Sequence, residues 1–345
     1  MTGDELPAPE DLSQEEISAI IDPAATGVPE LSPINTLYRE KQAWEAKIET
    51  LEGEDKYIAM GEMARCLGHL DPLKAYSLAK QVLAKAAENN WMRARAEAYR
   101  ASGLTLWFLL GVSLAERQTN LSNAIELFSF LELKVRKAEV MLHHALFESL
   151  VEGGFKRVTA KVWEARQLLL EPSDDESLRH AALGIASHIC AIIAWQSERD
   201  FELARGYWAI AVLHFRKSSS PFLVGLVHRA MGLVLIDQMK FSTAKPHQIR
   251  ASQIYHHNEM WNLYVIDCGR IATTQIKMGD LDGARRSLVQ LKQVMIDKSI
   301  TRNKYSLEYV EGYIKLPEKS ERTIQVSWCS GVSHENWSAP RLDCW

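Results

Sequence analysis

Two adjacent histidine pairs, His143-His144 and His256-His257, together with Cys268, are the residues of this sequence best suited by type to a metal ion. Neighbouring side chains on a helix point about 100° apart and rarely chelate one ion. Neither Cys-x-x-Cys nor His-Glu-x-x-His occurs, so no metal site is expected. Cys190 lies in the apolar run Ile189-Cys190-Ala191-Ile192-Ile193 and reads as a buried, inert thiol. Asp174-Asp175-Glu176 reads as the acidic start of a helix, favourable to its dipole. Phosphate-binding Gly-x-x-x-x-Gly-Lys-Ser/Thr and the nucleophile motif Gly-x-Ser-x-Gly are both missing, and Gly153-Gly154 reads as a helix stop. No catalytic residue, metal or cofactor is therefore assigned, and the chain reads as a non-enzyme. His188 and His228 lie 40 residues apart and are expected to line a shared surface.

That interval belongs to a repeat. Phe201-Glu-Leu-Ala204, Phe241-Ser-Thr-Ala244 and Leu281-Asp-Gly-Ala284 recur at a spacing of 40, each after a turn at Arg199-Asp200, Met239-Lys240 or Gly279-Asp280. The segments that follow carry apolar residues at helical intervals, as in Phe201, Ala204, Trp208, Ala211 and Phe215, giving one apolar stripe per helix. Upstream, Ala160, Ala124 and Ala75 continue the series more loosely, at spacings of 44, 36 and 49. Six helix pairs are predicted, with an opening helix near Thr36–Leu51 and a closing one near Lys304–Ile314. A helix pair cannot bury both faces alone, so neighbours must stack. Ala204, Ala244 and Ala284 are expected at close helix contacts. Gly232 and Ala272 mark the same need on the first helices of two pairs, with the larger Ile192 at the matching place one period earlier. Pro246 is expected to delay or kink its helix. Trp107, Trp163, Trp195 and Trp208 fit the apolar stripes.

Composition agrees with this architecture. The 345 residues are 47% hydrophobic and 24% charged, and contain only 18 Gly. Residues 1–35 hold eight acidic residues, five prolines and no Lys or Arg, so with −4 overall the remainder carries +4. They read as an acidic, disordered leader, with one short helical turn around Leu12–Ile21. The clusters Arg93/Arg95/Arg100 and Lys134/Arg136/Lys137 read as solvated helix faces, and no nucleic-acid partner is expected. No run of about 18 apolar residues is seen and the N-terminus lacks a secretory pattern, so no membrane partner is expected. An odd count of five cysteines argues against a disulfide framework and for a cytoplasmic setting. The domain reading is a leader over 1–35, an all-α body over 36–316, and an irregular tail over 317–345 rich in Trp, Cys and Ser, read as a flexible end or as a truncated or frame-shifted sequence.

The string Gly279-Asp280-(x)3-Ala284 and the spaced Ala and Gly residues resemble tetratricopeptide repeats over about residues 55–297, with a period nearer 40 than the usual ~34. The resemblance implies a right-handed α-solenoid of antiparallel helix pairs, with Ala204, Gly232, Ala244, Ala272, Gly279 and Ala284 as its structural positions. Repeats of this length are similar to the sensory regions of bacterial regulators, both those that precede a diguanylate cyclase output domain and those of ATP-dependent transcription activators. By that resemblance the chain is a regulatory module in intracellular signalling, such as the sensory region of a diguanylate cyclase lacking its output domain. The alternatives are a general adaptor or the regulatory region of a transcription activator. In such a module the first helices line a concave groove, here His188, Gln196, His228, Arg229, Asp237, Thr273 and Lys277. The partner implied is a protein or peptide segment, with homodimerisation left open.

Overall fold

In a computed structural model the described residues are 8–26, 28–31, 36–105, 113–151, 155–298, 300 and 311. The expected closing helix, apart from Glu311, and the tail 317–345 lie outside them, as do Trp107 and Gly153-Gly154. Among the described residues the fold is all-α, with fourteen helices and no strand. A short α1 (Gln14–Ile20) precedes α2 (Thr36–Thr50). Six consecutive pairs follow: α3 (Gly53–Leu70) with α4 (Pro72–Glu88), α5 (Met92–Thr105) with α6 (Leu114–Phe130), α7 (Lys134–Val151) with α8 (Phe155–Leu168), α9 (Glu176–Ile193) with α10 (Phe201–Lys217), α11 (Val224–Asp237) with α12 (Phe241–His257), and α13 (Trp261–Lys277) with α14 (Leu281–Asp297).

Local chemistry explains the boundaries. The side chains of Asp71, Ser113, Asp175, Asp200 and Asp280 each accept a hydrogen bond from the amide three residues on, capping the helices they precede. Arg199, Met239 and Gly279, at the interval of 40 read from the sequence, all have left-handed backbones with φ of 57°, 59° and 78°. Each reverses the chain between the helices of one pair. Asn90, Glu132 and Glu259 do the same between pairs. Ala204, Ala244, Ala272 and Ala284 are fully buried. A Cβ added to Gly232 would stand 2.9 Å from Gln248 Cγ, so α11 and α12 approach closely there. α12 opens at Phe241 and contains Pro246, so its start is not delayed.

From α2 on, each helix packs on its sequence neighbours, whereas α1 lies on α10, and the first helices of some successive pairs also meet, α3 with α5 and α7 with α9. α13 also touches α3, and the His69 ring lies 5.4 Å edge-on from Phe222 just ahead of α11. The early and late pairs thus close around a central space. α9 and the π turn after it, Glu176–Glu198, are long and apolar enough to cross a membrane by length and composition alone, but 61% of its apolar 18-residue window is buried inside the fold.

Three expectations are corrected. The leader is not a loose acidic tail: its described residues lie along α10 and α12. Glu30 is buried and ion-paired with Arg216 at 2.9 Å, Arg250 donates to the Ala25 carbonyl at 2.6 Å, and Arg205 donates to Ser18 at 2.8 Å. Three arginines on the second helices supply the charge that holds it. Trp163 is 58% exposed rather than in a core stripe, and the Arg166 guanidinium covers its ring at 5.5 Å; Trp208 is fully buried and Trp195 is half-buried. Arg100 is 1% exposed rather than solvated, because carboxylates from three helices surround it.

Candidate functional site

The central space contains a cavity of about 280 Å³. Its walls come mainly from the first helix of each pair: Glu62, Arg65 and His69 of α3, Arg100 of α5, Arg136, Glu139 and His143 of α7, Ile185, His188 and Ile192 of α9, Leu226 and Arg229 of α11, and Leu263 of α13. Trp44 of α2, Tyr255 of α12 and the segment ahead of α11, with Ser219, Ser220 and Phe222, also line it.

One wall is a buried ionic lattice. Arg100 contacts Glu62 at 3.2 Å, Glu97 at 2.8 Å and Glu139 at 2.6 Å. Arg136 bonds Glu62 and lies 2.9 Å from Glu97, and Arg65 bonds Glu40 and lies 3.0 Å from Glu62. Burial acts to raise the pKa of Glu62 and Glu139, but the guanidiniums, led by Arg100, outweigh it and hold both carboxyls below their ordinary value. Burial and the neighbouring Glu62 push Glu97 the other way. Sequence reading missed this lattice because its members form three Glu/Arg pairs, Glu62 with Arg65, Glu97 with Arg100 and Arg136 with Glu139, each three residues apart on one helix, a pattern that reads as a solvated helix face, and successive pairs lie 35 and 39 residues apart. The signal present was the register: Glu62, Arg100 and Glu139 recur at intervals of 38 and 39, close to the repeat itself.

The opposite wall is apolar and carries three polar groups short of hydrogen-bond partners. Arg229 Nε and Nη2, Tyr255 Oη and His188 Nδ1 are all buried and make no hydrogen bond of ordinary length, although the Tyr255 hydroxyl and the Arg229 side chain face one another. Arg229 lies 3.5 Å from Asp267, a carboxylate shared with Arg270 at 3.6 Å. Burial lowers the His188 pKa to about 4, keeping the ring neutral, and raises that of Tyr255, with Asp267 adding to the effect.

Of the residues expected in a groove, His188 and Arg229 line the cavity. Gln196 sits in the π turn, Asp237 and Lys277 are exposed near the ends of α11 and α13, and Thr273 is half-buried with its hydroxyl on the Gly269 carbonyl. Lys277 Nζ lies over the Phe241 ring at 5.5 Å. His228 does not share a surface with His188: it is buried against α12, with its Nδ1 3.0 Å from His247 Nδ1. The cause is a π turn over Ala194–Glu198, which inserts one residue. The closing bond of that turn runs from Asp200 N to Ala194 O, six residues, whereas Lys240 N reaches Leu235 O and Asp280 N reaches Gln275 O, five residues. The structural interval is therefore 41 here, so His188 matches Arg229. By the same shift the small residue matching Gly232 is the buried Ala191, which frees the bulkier Ile192 to face the cavity.

Among the described residues no three His, Cys, Asp or Glu side chains are placed to hold a metal ion. His143 lines the cavity while His144 faces Glu148 at 3.7 Å, and His256 packs edge-on against Trp261 and Tyr264. Cys66, Cys190 and Cys268 are free thiols raised in pKa by burial, which disfavours the nucleophilic thiolate. No protein-family model matches the chain, and no curated protein matches it significantly.

Proposed function

We propose that this is a tetratricopeptide-like helical-repeat protein that acts by binding, not catalysis, and that it receives part of a protein or peptide segment in its central cavity. The observation that carries this reading is the origin of the cavity walls. They come from the first helix of each pair, so one site is assembled from every repeat, as a solenoid assembles its inner face. The left-handed turns at Arg199, Met239 and Gly279 and the buried alanines at 204, 244 and 284 support the repeat reading. Away from the ionic wall the lining is largely apolar with a few convergent polar groups, the usual form of a ligand site. At about 280 Å³ it suits the end or one or two side chains of a partner, not a whole helix. A regulatory role in cytoplasmic signalling rests on the resemblance of the repeats to bacterial sensory regions.

The test is to place a photoreactive amino acid at Leu226, which lines the cavity. Cross-linking in the native cell is followed by mass spectrometry of the adduct. The expected result is a discrete partner segment, lost when Leu226→Trp is introduced to fill the site in a chain labelled at Ile192. Cross-links confined to the chain itself, or unaffected by Leu226→Trp, would reject the reading.

A further inference from the structure

Buried polar groups are nearly always hydrogen-bonded, and a buried guanidinium with donors left unfilled is costly. Three such groups, from α9, α11 and α12, line one cavity. Arg229 Nη2 and His188 Nδ1 have no hydrogen-bond partner, Arg229 Nε has only a long 3.5 Å contact with Asp267, the Tyr255 hydroxyl has only the Arg229 side chain near it, and the three residues are 5% exposed or less. They are held in place by packing. A Cβ on Gly225, one turn before Arg229, would stand 2.7 Å from the Tyr255 ring, so that ring lies directly on α11.

We propose that the cavity binds an amphipathic carboxylate, its head held by Arg229, Tyr255 and His188 and its apolar body lying along Ile185, Leu226 and Leu263. The proposal rests on the cavity being a binding site, as argued above, and adds what it recognises. A guanidinium presents a planar fork that matches a carboxylate, and a phenol hydroxyl and a neutral imidazole can each donate to it. Asp267, the ion partner of Arg229, is divided between two guanidiniums and does not itself line the cavity. It therefore leaves Arg229 with donors to offer. The head has one orientation available. On the ionic wall Glu62 and Glu139 already engage Arg100, and Glu40 engages Arg65, so an anion placed there would face carboxylates. One guanidinium with two neutral donors fits a single negative charge better than a phosphate dianion.

A free aliphatic acid and the carboxy terminus of an apolar peptide share this chemistry, and the test separates them. Calorimetric titration of the full chain would use octanoate, octanamide, and an apolar hexapeptide ending in leucine as the acid or the amide. Octanoate is expected to bind at least tenfold more tightly than octanamide, and removing the charged bond with Arg229→Gln to weaken it by about tenfold to a hundredfold. Tyr255→Phe, which removes only one hydroxyl, should weaken it less but measurably, so the idea remains testable if Arg229→Gln fails to fold. Preference for the peptide acid over both octanoate and the peptide amide would assign the head to a peptide terminus. Equal binding of octanoate and octanamide, no binding of either acid, or insensitivity to both substitutions would overturn the proposal. Should that happen while Leu226→Trp still abolishes partner cross-linking, the cavity remains a binding site and only its recognition of a carboxylate falls.

Discussion

His188 and Arg229 occupy the same place in successive helix pairs, 41 residues apart, and both line the fold's central cavity with a buried nitrogen that lacks a hydrogen-bond partner. The one residue by which this interval exceeds the repeat is absorbed by the π turn over Ala194–Glu198. Such turns are single-residue insertions into an α-helix, often found at functional sites. Deleting the exposed Ser197 should convert the π turn to α-helix and keep His188 in place, with stability within ~1 kcal/mol of the parent in urea unfolding. A loss of several kcal/mol would show that the turn has a structural role beyond absorbing an insertion.

The same shift marks the limit of what the sequence disclosed. Element type, the six pairs and their approximate ends were legible because Ala204, Ala244 and Ala284 and the preceding turns repeat locally. The pairing of His188 with His228 was not, since an α-helix and a π turn of the same residues have the same apolar pattern. The ionic lattice was hidden for a related reason. An arginine on a helix reads as exposed unless the carboxylates opposite are known, and those of Arg100 come from α3 and α7 as well as its own helix. The leader was misread because proline and acidic content signal disorder, while the arginines that order it lie 186 residues or more further along than the groups they bond.

Arg100 should be the most damaging charge to remove. It holds Glu62, Glu97 and Glu139 inside the fold. Arg100→Met would leave these carboxylates with fewer partners and cost about 3–5 kcal/mol, the typical penalty of breaking a buried ion pair. Adding Glu139→Gln to Arg100→Met should recover part of that loss, because it removes one of the stranded charges. The check is a double-mutant cycle by chemical denaturation, and strict additivity would count against the lattice as a coupled unit.

Met239 should be improvable. It holds φ at 59° with its side chain 71% exposed, so the left-handed backbone is strained and little packing compensates. Gly279, at the same point of the next pair, shows the residue suited to that turn. Met239→Gly is expected to stabilise by about 1 kcal/mol, seen as a higher urea midpoint with unchanged slope. Destabilisation would mean that the added freedom of the unfolded chain exceeds the relief of strain.

Glu30 tests the N-terminal strap. Its buried carboxylate lies 2.9 Å from Arg216 and 3.9 Å from Arg250, both on second helices. Glu30→Ala would strand two guanidiniums, one of them still partly in water, and should cost about 2 kcal/mol. Limited proteolysis should then cut the segment before α2 faster than in the parent. A cleavage rate equal to the parent's would show that other contacts hold the strap.

Acid should unfold this protein earlier than its carboxylates alone would predict. Burial is the leading cause that lowers the pKa of six histidines from the ordinary 6.5: His143, His188 and His247 to about 4, His69 and His214 to about 3, and His228 well below its ordinary value. A histidine whose folded pKa is depressed binds fewer protons in the native than in the unfolded state between the two values. Its contribution is complete above pH 6.5 and is lost as pH falls towards 4. Glu97 and Asp267, whose pKa values are raised, work in the opposite direction, but they are two against six. The slope is about 1.4 kcal/mol per pH unit for each proton by which the unfolded state exceeds the native. His228 and His247 give the cleanest test, since their rings stack at 5.3 Å and share one Nδ1 contact outside the cavity. A single proton between the two Nδ1 atoms suffices for that contact, so the neutral pair needs opposite tautomers and a second charge there would be repelled. Urea midpoints should fall steadily from pH 7 to pH 5 in the parent. In the double variant His228→Leu with His247→Leu, the slope over that range should shrink by up to two protons. An unchanged slope would mean that these two histidines titrate alike in the folded and unfolded states, which their burial does not allow.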